Sequence, residues 1–147
     1  MPTFTFEGLD IYSEELARLG KNVPKMMNAA LYDGAKVMAD AIQTEIDTLT
    51  ELEPIQRQGL HDGLGVAHFW QENSATVTKI GFAGYNRKIT KRWPRGQPNA
   101  MIARSIARGT SWMRANRFIK RATQKARKKC VEAMASRFDK EVEYYTK

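Results

Sequence analysis

The sequence predicts an α+β fold: a small, mostly antiparallel sheet packed by two long helices, at about 24–50 and 116–144, with one or two short helices. Three observations predict it. Apolar side chains recur every three or four residues from Met27 to Leu49, and again from Phe118 to Val142, the spacing of an amphipathic helix. Between them, "LGVAHFWQE" and "ATVTKIGF" alternate around a polar turn, the pattern of a β-hairpin. Helices and a small sheet kept apart along the chain imply α+β rather than alternating α/β.

The elements follow in order. Phe4 and Phe6 alternate with Thr3 and Thr5, a short strand pattern closed by Gly8. Ser13 reads as an N-cap with Glu14 and Glu15 in the first turn, and Gly20 as the end of that short helix. Pro24 suits the first position of the long helix that follows, which would run ~40 Å at ~1.5 Å per residue. Gly34 interrupts it at about 1 kcal/mol relative to Ala, a cost that a close crossing of another backbone would explain. Its Asp33, Lys36, Asp40, Glu45 and Asp47 read as a solvated, acidic face.

"TELEPIQRQGLHDGLG", punctuated by Pro54, Gly59, Gly63 and Gly65, reads as a connection. In the hairpin Val66, His68 and Trp70 would share one face, opposite Ala67 and Phe69. "AGYNRKITKRWPRGQPN" reads as a basic loop at about 83–97, of a composition that can order on docking. Met101, Ile102, Ile106 and Ala107 fit a helix at about 98–108 with Asn99 as cap. Gly109, Thr110 and Ser111 form a turn, and Asn116 can cap the last helix, with Phe118, Ile119, Ala122 and Ala126 toward the core.

A chain of 147 residues is one domain by size, 1–147. No apolar run approaches the ~18 residues of a membrane span, and the first residues lack a signal-peptide pattern. A lone Cys130 excludes an intramolecular disulfide. Charge is the sharper clue. Residues 1–72 carry five Lys/Arg against twelve Asp/Glu; residues 73–131 carry sixteen Lys/Arg and no acid. Such halves either pair with each other, within or between subunits, or leave the basic half facing a polyanion.

Catalytic patterns are scarce. His61 beside Asp62 could fix a tautomer, and His61 with His68 could share a metal, but no further ligands stand at a recognisable spacing. Lys128 and Lys129 could lower the pKa of Cys130, but it sits within a helix with no base partner in the sequence and reads as a semi-buried structural cysteine. Glu51 and Glu53 would need a pocket to work as an acid–base pair. "GLHDGLG" lacks the Lys-Ser/Thr of a phosphate loop. The reading is a non-enzymatic protein with no catalytic residue, no metal and no cofactor. The basic stretch with Tyr85, Trp93 and Trp112 has the ingredients of a nucleic-acid surface but none of the recognisable binding motifs.

The order of landmarks resembles a known family. "FTFEGLDIYSEELARL", followed by "KMMNAALYDGAKVMADAIQTEI", resembles the opening of the tail-completion, head–tail joining or neck proteins of tailed bacteriophages (siphophages and prophages), also called minor tail components. "QGLHDGL" resembles that family's Thr-Gly-x-Leu-x-x-Ser segment, and "VTKIGFAGYN" is similar to its Val-x-Val-Gly-Phe strand. "PNAMIARSIARGTSWMRANRFIKRA" is similar to a segment in which a Gly-Thr-Ser turn precedes a Pro-Phe-hydrophobic helix start. Gln58 stands where the family has Thr, and Arg108 where an acidic residue is frequent. The second departure removes the basis for an intersubunit ion pair at that point.

The resemblance implies a structural subunit of the virion neck, made in the host cytoplasm. It would form a homo-oligomeric ring, sixfold by the same analogy, around the DNA channel, between a connector and a tail terminator. Arg87, Lys88, Lys91, Arg92 and Arg95, with Trp93 as anchor, are the expected protein-interface or DNA-channel residues, since Trp and Arg dominate interface hot spots. Gly109, Thr110 and Ser111 would orient the last helix. A small basic DNA-binding regulator is the rival expectation, with non-specific genome contact and no membrane partner.

Overall fold

The computed structural model describes residues 9–72 and 75–146, with side chains described for 17–69 and 76–146. In chain order the elements are α1 (Leu9–Ile46), α2 (Pro54–Gly63), β1 (Leu64–Val66), β2 (Trp70–Glu72), β3 (Ala75–Val77), β4 (Ile80–Phe82), α3 (Asn99–Arg108) and α4 (Phe118–Thr146). The α+β class is as expected, with two long helices and a small antiparallel ribbon. The strand expected at Thr3–Phe6 lies outside the described residues.

The first long helix is longer than expected. It begins at Leu9, so Ser13 lies inside it and neither Gly20 nor Pro24 is a boundary. Proline's fixed φ is already helical, so the cost is one lost N–H bond and crowding against the carbonyl of residue 20, about 3 kcal/mol. The residue at that position is Gly20, with open space around it. Beyond the proline, Met26, Ala30, Ala35, Ile42 and Ile46 are buried, which holds the helix in one piece.

α4 returns antiparallel along α1. At Gly34 an added Cβ would meet Met134 at 2.5 Å and Cys130 at 3.2 Å. The Cys130 thiol donates to the Gly34 carbonyl at 3.3 Å. The space at Gly34 is taken by side chains of the second long helix rather than by the backbone expected there.

The segment read as a connection contains a helix, α2. Its first turn has Pro54 at the start, and Gln56 Oε1 accepts the Glu53 N–H at 3.0 Å. Its glycines are packing positions: a Cβ on Gly59 or Gly63 would run into Asn86, Asn99 or the Ala83 carbonyl. Arg57 closes the preceding turn by donating to the Leu49 and Leu52 carbonyls at 2.9 and 2.6 Å.

The hairpin forms as expected, in two registers. β1 pairs with β4 as Leu64↔Phe82 and Val66↔Ile80, whereas β2 pairs with β3 as Trp70↔Val77 and Glu72↔Ala75. The two ladders differ by one residue, so the first strand carries an extra residue between them. That bulge breaks the continuous alternation expected from Val66 to Trp70.

The core joins Ile42, Ile46, Leu49, Leu52, Leu60, Ile102, Ile106 and Phe118, with Leu64, Ile80 and Phe82 of the ribbon packed on it. Asn99 is the first helical residue of α3 rather than its cap. Its buried side chain donates to the Ala83 carbonyl at 2.9 Å. Ile119, expected in the core, is 36% exposed, because only Phe118, Ala122 and Ala126 of that turn-by-turn stripe face α1.

Candidate assembly interface

The basic loop sits between β4 and α3 on a hydrogen-bonded frame. Asn86, only 3% exposed, is its hub. Asn86 Oδ1 accepts the N–H groups of Lys88 and Gln97, each at 3.0 Å, and Nδ2 donates to Gln97 Oε1 at 3.1 Å. Gln56 of α2 donates to the same Gln97 oxygen at 2.9 Å. The loop ends are tied by Asn86 N–H to the Gln97 carbonyl and by Asn99 N–H to the Gly84 carbonyl, both at 2.9 Å. Thr90 and Trp93 exchange backbone bonds of 3.1 Å. Gly96, at φ 98°, can only be glycine: a Cβ would overlap the Asn86 carbonyl.

This frame sorts the six residues expected to act. Lys88 is turned inward to Glu53 at the start of α2, 2.8 Å away. The Arg92 guanidinium lies 5.6 Å from the centre of the half-buried Trp93 ring, a cation–π contact. Arg87, Lys91 and Arg95 are exposed and make no ion pair among the described residues. Two apolar neighbours not expected at a protein interface are exposed: Tyr85, expected only as part of a nucleic-acid surface, at 65%, and Ile89 at 73%. Their side chains look like ordinary loop residues until the frame shows which way they point. Between α2 and the loop lies a cleft of about 690 Å³, lined by Pro54, Ile55, Gln58, Asp62, Tyr85 and Arg87 among others.

The Gly-Thr-Ser turn links α3 to α4. Gly109, at φ 80°, abuts the Ala115 backbone, where a side chain would not fit. Thr110 and Met113 exchange backbone hydrogen bonds of 2.9 and 3.3 Å, and the Asn116 N–H reaches the Ile106 carbonyl at 2.8 Å. Thr110 and Ser111 are exposed. Trp112 stands at the tip, 90% exposed. Asn116 does not cap α4 with its side chain as expected; it donates to Glu51 at 3.0 Å.

Other expectations change. Glu45 is 4% exposed, not part of a solvated face, because α4 covers it. It accepts from Lys125 at 2.7 Å and Arg121 at 3.1 Å. Those two cations, Lys125 first, hold its carboxyl below the usual carboxylate range despite the opposing effect of burial. His61 pairs with Asp47 at 2.7 Å and with Gln43, not with Asp62, which accepts from Gln58 instead. Cys130 is partly buried, as expected of a structural cysteine, and burial pushes its thiol up; the adjacent Lys128 and Lys129 are exposed.

Among the described residues there is no cluster of His, Cys, Asp or Glu able to hold a metal, and no helix long and apolar enough to cross a membrane. Compared with protein-family models, with curated proteins and with solved structures, the chain matches none.

Proposed function

We propose that this chain is a non-enzymatic assembly subunit of a tailed-phage virion, acting at the neck in tail completion or head–tail joining. The loop at 83–97 would be the surface that meets a neighbouring protein. The observation that carries this reading is the loop's construction: a buried Asn86 frame presents Arg87, Lys91, Arg92 and Arg95 outward beside Tyr85 and Ile89. A framed loop loses less entropy on docking than a slack one, so its cations and aromatics yield more net affinity. Arg with aromatic and aliphatic neighbours is the composition of an interface hot spot. The order of sequence landmarks supplies the setting: a ring around the DNA channel, between connector and terminator.

The test is replacement of Arg87, Lys91, Arg92 and Arg95 by Gln in the phage or prophage that encodes the chain. Heads and tails should accumulate unjoined, with the purified subunit still folded. Joining at normal yield would overturn the assignment of this loop.

A further inference from the structure

A second set of cations stands apart from the loop. On α4 and just before it, Arg117, Lys120, Arg127 and Lys128 are exposed and make no ion pair among the described residues. They contrast with Arg121 and Lys125 of the same helix, both consumed by Glu45. Arg104 of α3 extends the set, since it and Ile119 line one groove between the two helices. Arg114, also exposed, stands between the Trp112 turn and α4. No acid occurs anywhere from residue 73 to 131 to neutralise this face from within its own segment.

We propose that this α3–α4 face binds duplex DNA through its phosphates, without reading sequence. Lys120 and Lys128 are eight residues apart on one helix, which is about 12 Å of rise. That is about the width of a B-form major groove, so cations at both ends of the run can reach phosphates on the flanking strands. Between and beside them on the outer face stand Gln124, Val131 at 55% exposure, and Glu132, so the cations outnumber one aliphatic side chain and one acid there. A protein partner would find few anchors in a Lys-, Arg- and Gln-lined helix face. An anionic membrane would find no apolar stripe to bury. Along residues 104–131 a single-stranded nucleic acid would find Trp112 as the exposed aromatic, Phe118 being buried, where such binders carry several to stack successive bases.

The proposal does not depend on the neck assignment, and the experiment separates the two. A fluorescein-labelled duplex of about 30 base pairs is titrated with the full chain between about 50 and 200 mM salt, and anisotropy is recorded. Tight low-salt binding with a steep log–log salt slope is expected. Replacing Arg117, Lys120, Arg127 and Lys128 by Gln should flatten that slope by about 3.6, or 0.9 for each lost phosphate contact, and weaken binding more than tenfold. The Gln variant of Arg87, Lys91, Arg92 and Arg95 should change the slope by less than about one. All four α4-side positions are exposed and unpaired, so thermal melting checks that the variant is folded. No duplex binding at low salt, or equal loss from the loop variant, would overturn the proposal. So would tighter binding of single-stranded oligo(dT) that Trp112→Ala abolishes, or binding of anionic vesicles in preference to DNA.

Discussion

The seam between α1 and α4 and the loop at 83–97 use the same side chains for opposite ends. At the seam, Arg121 and Lys125 converge on a single carboxylate, Glu45, that the helix pair removes from water. In the loop, a polar frame built around Asn86 consumes only Lys88, through Glu53, and leaves the other cations outward. Positive charge holds the fold together in one region and is displayed in the other. The difference lies in what faces the cation: a buried acid from a distant helix, or solvent over a frame of amides.

The comparison can be broken at three points, in order of expected effect. Asn86→Ala should cost about 2–3 kcal/mol, since it strands the Lys88 and Gln97 N–H groups and removes one of the two donors to Gln97 Oε1. Hydrogen exchange would show protection lost across 84–97 and kept in α1 and α4. Glu45→Gln should cost less, about 1–2 kcal/mol, because both partner cations are partly solvated and can be rehydrated. Its signature is in pH. The Glu45 carboxyl titrates below its ordinary value in the folded chain. Its contribution is therefore complete above the unfolded carboxylate range and lost as pH falls through the lowered folded value. Urea midpoints measured from neutral pH to about 3 should fall more steeply for the native chain than for the variant. Smallest is the Gln replacement of Arg87, Lys91, Arg92 and Arg95, each expected within about 0.5 kcal/mol by thermal melting. A large loss there would mean that these cations, too, hold the fold.

Periodicity carried most of the fold into view. The last helix, the helix at Asn99–Arg108 and the hairpin were readable because one face of each is apolar at the right spacing. Glycine and proline misled. Gly20 and Pro24 look like punctuation but sit inside a helix that downstream packing sustains, and Gly59 and Gly63 serve contact rather than a bend. Local pattern could not show the fate of Glu45, because its partners lie 76 and 80 residues away. The candidate interface was readable as composition, at Arg87 to Arg95, but not as geometry. That Lys88 pairs with Glu53 while Tyr85 and Ile89 stay exposed depends on a frame tied to α2, 35 and 41 residues away in the chain.

The pairing of α1 with α4 also governs when the molecule can be made. Its contacts bridge separations of 76, 80 and 96 residues, whereas α2, the ribbon and α3 are near neighbours in the chain. Long separations close slowly, since loop entropy is spent before any contact repays it. During synthesis Ile42 and Ile46 can already pack on Leu60, Ile102 and Ile106, but the α1 surface around Gly34 waits bare until α4 leaves the ribosome. A chain stopped short of Phe118 should therefore aggregate or bind a chaperone, and completion of the last helix is the step that commits the protein to its fold.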